Sequence, residues 1–279
     1  MAGSQTVSPV NTRDREGALS CGSAAAPWWA PGVVAALVTL MAAGVALGQG
    51  AEPAESPTPR SLQVLTRYPT RDELAALTAR SVDCLVLNVA RYPQSTESAD
   101  LASFNGRVLA VIDAGSTPGQ EQAQHLAELK GEVALILRSY PGFLSVDYLI
   151  RLPGRIGVTL IVGCCPSRSS VEMVNSMKRP VVLVMNGDYP DTWAVDELNR
   201  LNPDVRLVFN VQRSLDVFVA ETLNKLGRPG TFYVSSPPMQ GGGDPDAVRK
   251  LRPEHTIVAG RTYTAETVVD RLVGRLEPR

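Results

Sequence analysis

The polar residues of this 279-residue chain that could do chemistry recur at one spacing. Asn88, Asp113, Arg138, Gly163, Asn186, Asn210, Ser235 and Gly260 each close a short apolar run, at intervals of 25, 25, 25, 23, 24, 25 and 25 residues. Asp188 and Arg213 follow shortly after two of them. Amides, carboxylates and a guanidinium collected at one edge could bind a polar ligand, and Asn88, Asp113, Arg138, Asn186 and Asn210 are the candidate binding residues. Two carboxylates at a controlled separation could also hydrolyse a glycosidic bond. Asp113 and Asp188 are the pair on offer for that.

Other chemistry is poorly supplied. Of the two histidines, His125 lies in a helical pattern and His255 just ahead of a strand, neither with a catalytic or metal partner at a readable spacing. The chain has no GxSxG, HExxH or CxxC. Ser139, Ser169 and Ser170 have no histidine placed to activate them. Gln240 to Asp244 is glycine-rich but lacks the lysine and hydroxyl of a phosphate loop. Of the four cysteines, three lie past the N-terminal apolar run: Cys84 falls inside an apolar strand and Cys164 and Cys165 close another, and three with two adjacent members form no disulfide framework. No cofactor and no metal is expected. Lys plus Arg (27) balance Asp plus Glu (28) and aromatics are 5%, which argues against a nucleic-acid partner.

The elements that must position these residues follow the same period. Immediately before the markers stand CLVL, LAVI, ALIL, TLIV, VLVM and RLVF, which read as strands. Twelve and nine residues before most markers lie apolar pairs, among them Leu101/Phe104, Leu126/Leu129, Leu198/Leu201 and Leu223/Leu226. Residues three apart share a helix face, so each pair turns one stripe inward. Helix starts are signalled at Thr70, Ser167 and Asp191. Prolines at 69, 93, 141, 166 and 190 end strands and open the turn to the next helix. A period of this size marks supersecondary units that cannot bury their apolar faces alone.

The layout of LAELKGEVALILR (Leu126 to Arg138), and of ELAALTARSVDCLVL (Glu73 to Leu87), resembles a leucine-rich repeat. The resemblance covers residues 62–279 as about nine units. It implies a solenoid with parallel strands lining a concave face, and a protein or peptide ligand without catalytic residues. The repeat shows no asparagine ladder of the kind usual in that family. The central strand residues Val86, Val111, Ile136, Ile161, Val184, Val208 and Tyr233 make the strands apolar on both faces, as a sheet covered on both sides requires. That pattern also suits a closed (β/α)₈ barrel, with the polar markers at its C-terminal mouth. The stretch TAETVVDRLVGRL, from Thr264 to Leu276, puts Val268, Leu272 and Leu276 on one stripe and reads as a cap over the core.

Ahead of the repeats, the run from Val33 to Leu47 is continuously apolar, with Trp28 and Trp29 before it and small residues after it. It reads as a signal peptide, or as a membrane anchor where it is not cleaved. The expected organisation is an N-terminal export segment (residues 1–50), a Pro-rich linker (51–61) and a repetitive α/β domain (62–279). The expected protein is an exported, envelope-located binding scaffold. A barrel hydrolase using Asp113 and Asp188 is the alternative.

Overall fold

A computed structural model describes residues 61–163, 165–235 and 245–273. The export segment, the linker, Cys164, the glycine-rich stretch at 240–244 and Leu276 lie outside these residues. Strands and helices alternate throughout: β1 (Leu62–Leu65), α1 (Arg71–Ala79), β2 (Cys84–Val89), α2 (Ser95–Ser103), β3 (Arg107–Gly115), α3 (Gln120–Glu128), β4 (Glu132–Leu137), α4 (Phe143–Arg151) and β5 (Ile156–Val162). They continue as α5 (Arg168–Ser176), β6 (Val181–Gly187), α6 (Thr192–Asn199), β7 (Val205–Val211), α7 (Val217–Leu223), β8 (Gly230–Val234), α8 (Pro245–Lys250), β9 (Thr256–Ala259) and α9 (Ala265–Val273). The strands form one nine-stranded sheet in sequential order, and all eight ladders are parallel. Among the described residues no ladder joins β9 to β1.

Side-chain alternation splits each strand between two cores. Leu85, Leu87, Leu135, Leu137, Leu207 and Phe209 pack with the apolar stripes of the helices from α1 to α8. Val86, Val111, Ile136, Ile161, Val184, Val208 and Tyr233 form a second core on the opposite face, with Val268 and Leu272 of α9. These inner side chains are 0–8% exposed. A flat sheet of this many strands would be about 38 Å wide, whereas a helix as short as α9 is about 14 Å long. The face is nevertheless buried across its width, from Val86 of β2 to Tyr233 of β8. The face that the repeat resemblance would leave open to a ligand is therefore filled, and the stretch from Thr264 onward caps it as its stripe predicts.

The helix starts follow local chemistry. Thr70 and Glu73 exchange side chain-to-backbone bonds as a capping box, and Ser167, Asp191 and Asp216 each accept from a first-turn N–H. At the opposite ends the units are laced together. Asn175, Asn199 and Asn224 donate to the carbonyls of Arg200, Lys225 and Lys250, at 2.8, 3.0 and 2.7 Å. Each accepts in return from a backbone N–H of the same neighbour, at Asn202, Gly227 and Arg252. This is an asparagine ladder. It runs beneath the helix ends, joining each unit to the next. Beside it, Arg155, Arg179, Arg228 and Arg252 reach back to the carbonyls of Leu129, Leu152, Asn202 and Leu226 in the preceding unit, at 3.0, 2.6, 2.7 and 2.9 Å. Carbonyls left without an intrahelical partner thereby gain a cation at the negative end of the helix dipole.

Candidate functional site

Strand alternation places the five candidate binding residues alike. Asn88, Asp113, Arg138, Asn186 and Asn210 each come two positions after an inner-face residue: Val86, Val111, Ile136, Val184 and Val208. The inner face thus turns from apolar to polar at the C-terminal rim of the sheet. The β6–β7 register sets Asn186 directly beside Asn210.

A cleft of about 660 Å³ opens at this rim, lined by Arg138, Ile161, Asn186, Gly187, Asn210, Val211, Gln212, Ser235, Thr262, Tyr263 and Thr264. Three of the five candidates, Arg138, Asn186 and Asn210, are thereby brought together. Asn88 stands half-buried in β2 and Asp113 half-buried in β3, and neither lines the cleft. Asp113 reaches the site only through Arg138, whose guanidinium donates to both carboxylate oxygens, Nε to Oδ1 at 3.0 Å. That pairing holds Arg138 above its ordinary value, so it stays charged. Asp188 is exposed and faces Arg213 at 3.6 Å. The two carboxylates of the hydrolase alternative each have an arginine. Asp113 lies in β3 and Asp188 just after β6, strands three places apart and about 14 Å measured along the sheet.

Asn210 is buried and its carboxamide is spoken for. Nδ2 donates to Asn186 Oδ1 at 2.6 Å and to the Tyr263 carbonyl at 2.9 Å, while Oδ1 accepts from the Tyr263 N–H at 2.8 Å. Its role in the cleft wall is to hold the segment leading into α9. Tyr263 in turn stacks edge-on against Tyr233 and lies under the Arg271 guanidinium, 4.9 Å from the ring centroid. Burial pushes the Tyr263 phenol up, which keeps it protonated.

Gln212, Thr262, Tyr263 and Thr264 were not legible as site residues. They stand off the strand-end period, and three of them belong to the final segment, which folds back over units more than fifty residues earlier in sequence. The only local hint is the polar TYT before the α9 stripe.

Among the described residues, the cleft lining contains no carboxylate, imidazole or thiol. It offers hydroxyls, amides and one paired cation. Such a set can donate and accept hydrogen bonds and orient a polar ligand, but it holds no group that exchanges a proton near neutral pH. No group of three or more His, Cys, Asp or Glu that could hold a metal occurs among the described residues. His255 is remote in role. It is buried between units, accepting from the Gly230 N–H at Nδ1 and bonding the Leu223 carbonyl through Nε2, each at 3.2 Å. His125 bonds the Pro93 carbonyl through Nδ1 at 3.2 Å. Cys84 packs in the inner core.

No protein-family model and no curated protein matches this chain.

Proposed function

We propose that this protein is a non-catalytic binding scaffold of the cell envelope, which takes a protein or peptide ligand at the C-terminal rim of its sheet. The observation that carries this reading is the make-up of the cleft: hydrogen-bonding side chains without an acid or base. A peptide backbone offers alternating donors and acceptors. Asn186, Gln212, Ser235 and Thr262 can answer them, while Arg138, held by Asp113, is pre-oriented for a ligand carbonyl or carboxylate. With the inner face filled, the polar C-terminal rim is the surface left for a ligand. Location in the envelope rests on the apolar run from Val33 to Leu47, which serves as export signal or anchor.

Peptide selection on the full-length chain tests this. Peptides enriched on the native protein should lose at least tenfold in affinity for a variant carrying Asn186→Ala and Gln212→Ala. Equal affinity would place binding elsewhere. A hydrolytic activity abolished by Asp113→Asn or Asp188→Asn would replace the scaffold by the hydrolase.

A further inference from the structure

Every helix from α1 to α7 follows its strand directly, so their N-termini share the end of the molecule that carries the cleft. At this rim the first turns fall into two groups. The helices α1, α2 and α3 open with the acids that favour a helix N-terminus: Asp72 and Glu73, Glu97, and Glu121. The helices α4, α5, α6 and α7 have no acidic residue in the first turn. In their place stand large apolar side chains that project into solvent: Phe143 and Leu144 on α4, Trp193 on α6 and Phe218 on α7, exposed by 73, 73, 58 and 75%. The α5 position between them carries Arg168 and Ser169. Asp147 and Asp196 are exposed one turn further into α4 and α6, and Glu172 lies 3.5 Å from Arg168, while the aspartates at the rim itself are engaged. Asp191 and Asp216 cap backbone N–H groups, and Asp188 faces Arg213.

We propose that this half of the rim inserts into the interfacial layer of a lipid bilayer. Tryptophan, phenylalanine and leucine flanked by arginine are the side chains that settle there, rings at headgroup depth and guanidinium groups toward the phosphates. The four apolar side chains sit on three helix ends, α6 and α7 being neighbours about 8–10 Å apart and α4 standing one helix further along. A fluid bilayer closes round separate projections, whereas a folded partner would need a continuous patch. Covalent geometry permits the contact. Residues 48–60, between the apolar run and the domain, can extend to about 45 Å, against a strand height of about 23 Å for seven residues. The rim can therefore meet the bilayer in which an anchor from Val33 to Leu47 is embedded. The proposal rests on the envelope reading above.

The test uses the full-length chain with Trp28→Phe and Trp29→Phe, which leaves Trp193 as its sole tryptophan. It is reconstituted in phosphatidylcholine–phosphatidylglycerol vesicles with or without brominated acyl chains. The expected result is a blue shift and about a twofold loss of Trp193 emission with brominated lipid, both reversed by adding Leu144→Ser and Phe218→Ser at unchanged circular dichroism. A chain that floats with the vesicles while its Trp193 is unquenched overturns the proposal and leaves the scaffold reading standing. A chain that fails to float removes both the insertion and the membrane anchor. Shielding of Trp193 from an aqueous quencher but not by brominated lipid, rising with the protein-to-lipid ratio, would assign the row to a second copy and overturn it too.

Discussion

Asn210 holds Tyr263 as a neighbouring strand would: its carboxamide accepts from the Tyr263 N–H and donates to the Tyr263 carbonyl, at 2.8 and 2.9 Å. One buried side chain, 53 residues earlier in sequence, thus fixes the point where the chain turns inward to cover the sheet. It also forms one wall of the rim cleft.

Replacing this amide should loosen both structures at once. Asn210→Ala leaves the Tyr263 backbone groups without their partner, and the expected loss is about 2–3 kcal/mol. Urea unfolding measures it, and limited proteolysis should show faster cleavage near residue 263. A loss below about 0.5 kcal/mol would mean that packing of Tyr263 suffices.

The inner core depends on α9. Leu272 is 8% exposed on the face that the helices from α1 to α8 do not reach. Leu272→Ala should destabilise by about 2–4 kcal/mol and increase dye binding to exposed apolar surface. The exposed Val248 supplies the control, since Val248→Ala should change stability by no more than about 0.5 kcal/mol.

The asparagine ladder makes a prediction about additivity. Asn199→Ala removes the bonds to the Lys225 carbonyl and the Gly227 N–H, at an expected cost of about 1–2 kcal/mol. Asn175 and Asn224 make the same pair of contacts with different residues. Because no partner is shared, the double variants should add to within about 0.5 kcal/mol, as denaturation midpoints at constant slope would show.

His255 predicts a pH dependence. Burial lowers its pKa, outweighing its bond to the Leu223 carbonyl, so the folded state favours the neutral ring. The unfolded chain then binds the proton more readily. Stability from this residue is complete above the unfolded value of about 6.5 and is lost as pH falls through the lower folded value. Between pH 8 and 5 the denaturation midpoint should fall in the native protein and stay flatter in His255→Gln.

Glu73 titrates low, at about 2 against an ordinary 4.5, because Arg67 hydrogen-bonds its carboxylate and the Thr70 N–H adds to this. Its contribution to the α1 cap is present above pH 4.5 and disappears as pH falls toward 2. Carbon-detected NMR should find the low value in the native protein, and Arg67→Ala should return it toward 4.5.

Much of the architecture was legible because repetition writes nearest-neighbour contacts into the chain at a constant interval. The pairs such as Leu126/Leu129 did face a common core, and Thr70, Ser167 and Asp191 did open helices, since these depend on residues only a turn away. The asparagine ladder was equally periodic, at residues 175, 199 and 224, but its partners are backbone groups of the next unit, which the spacing of the asparagines alone does not name.

The amino-acid sequence by itself determined the tandem β-α units, their order and the apolar character of both strand faces, because periodicity and capping act over a few residues. Only the tertiary structure decided what covers the second face and which polar strand ends form a cleft. Both follow from the last turn of the chain, where Asn210 captures Tyr263 and α9 packs back toward β3. A contact across that sequence separation leaves no period to read, since its partner positions occur once.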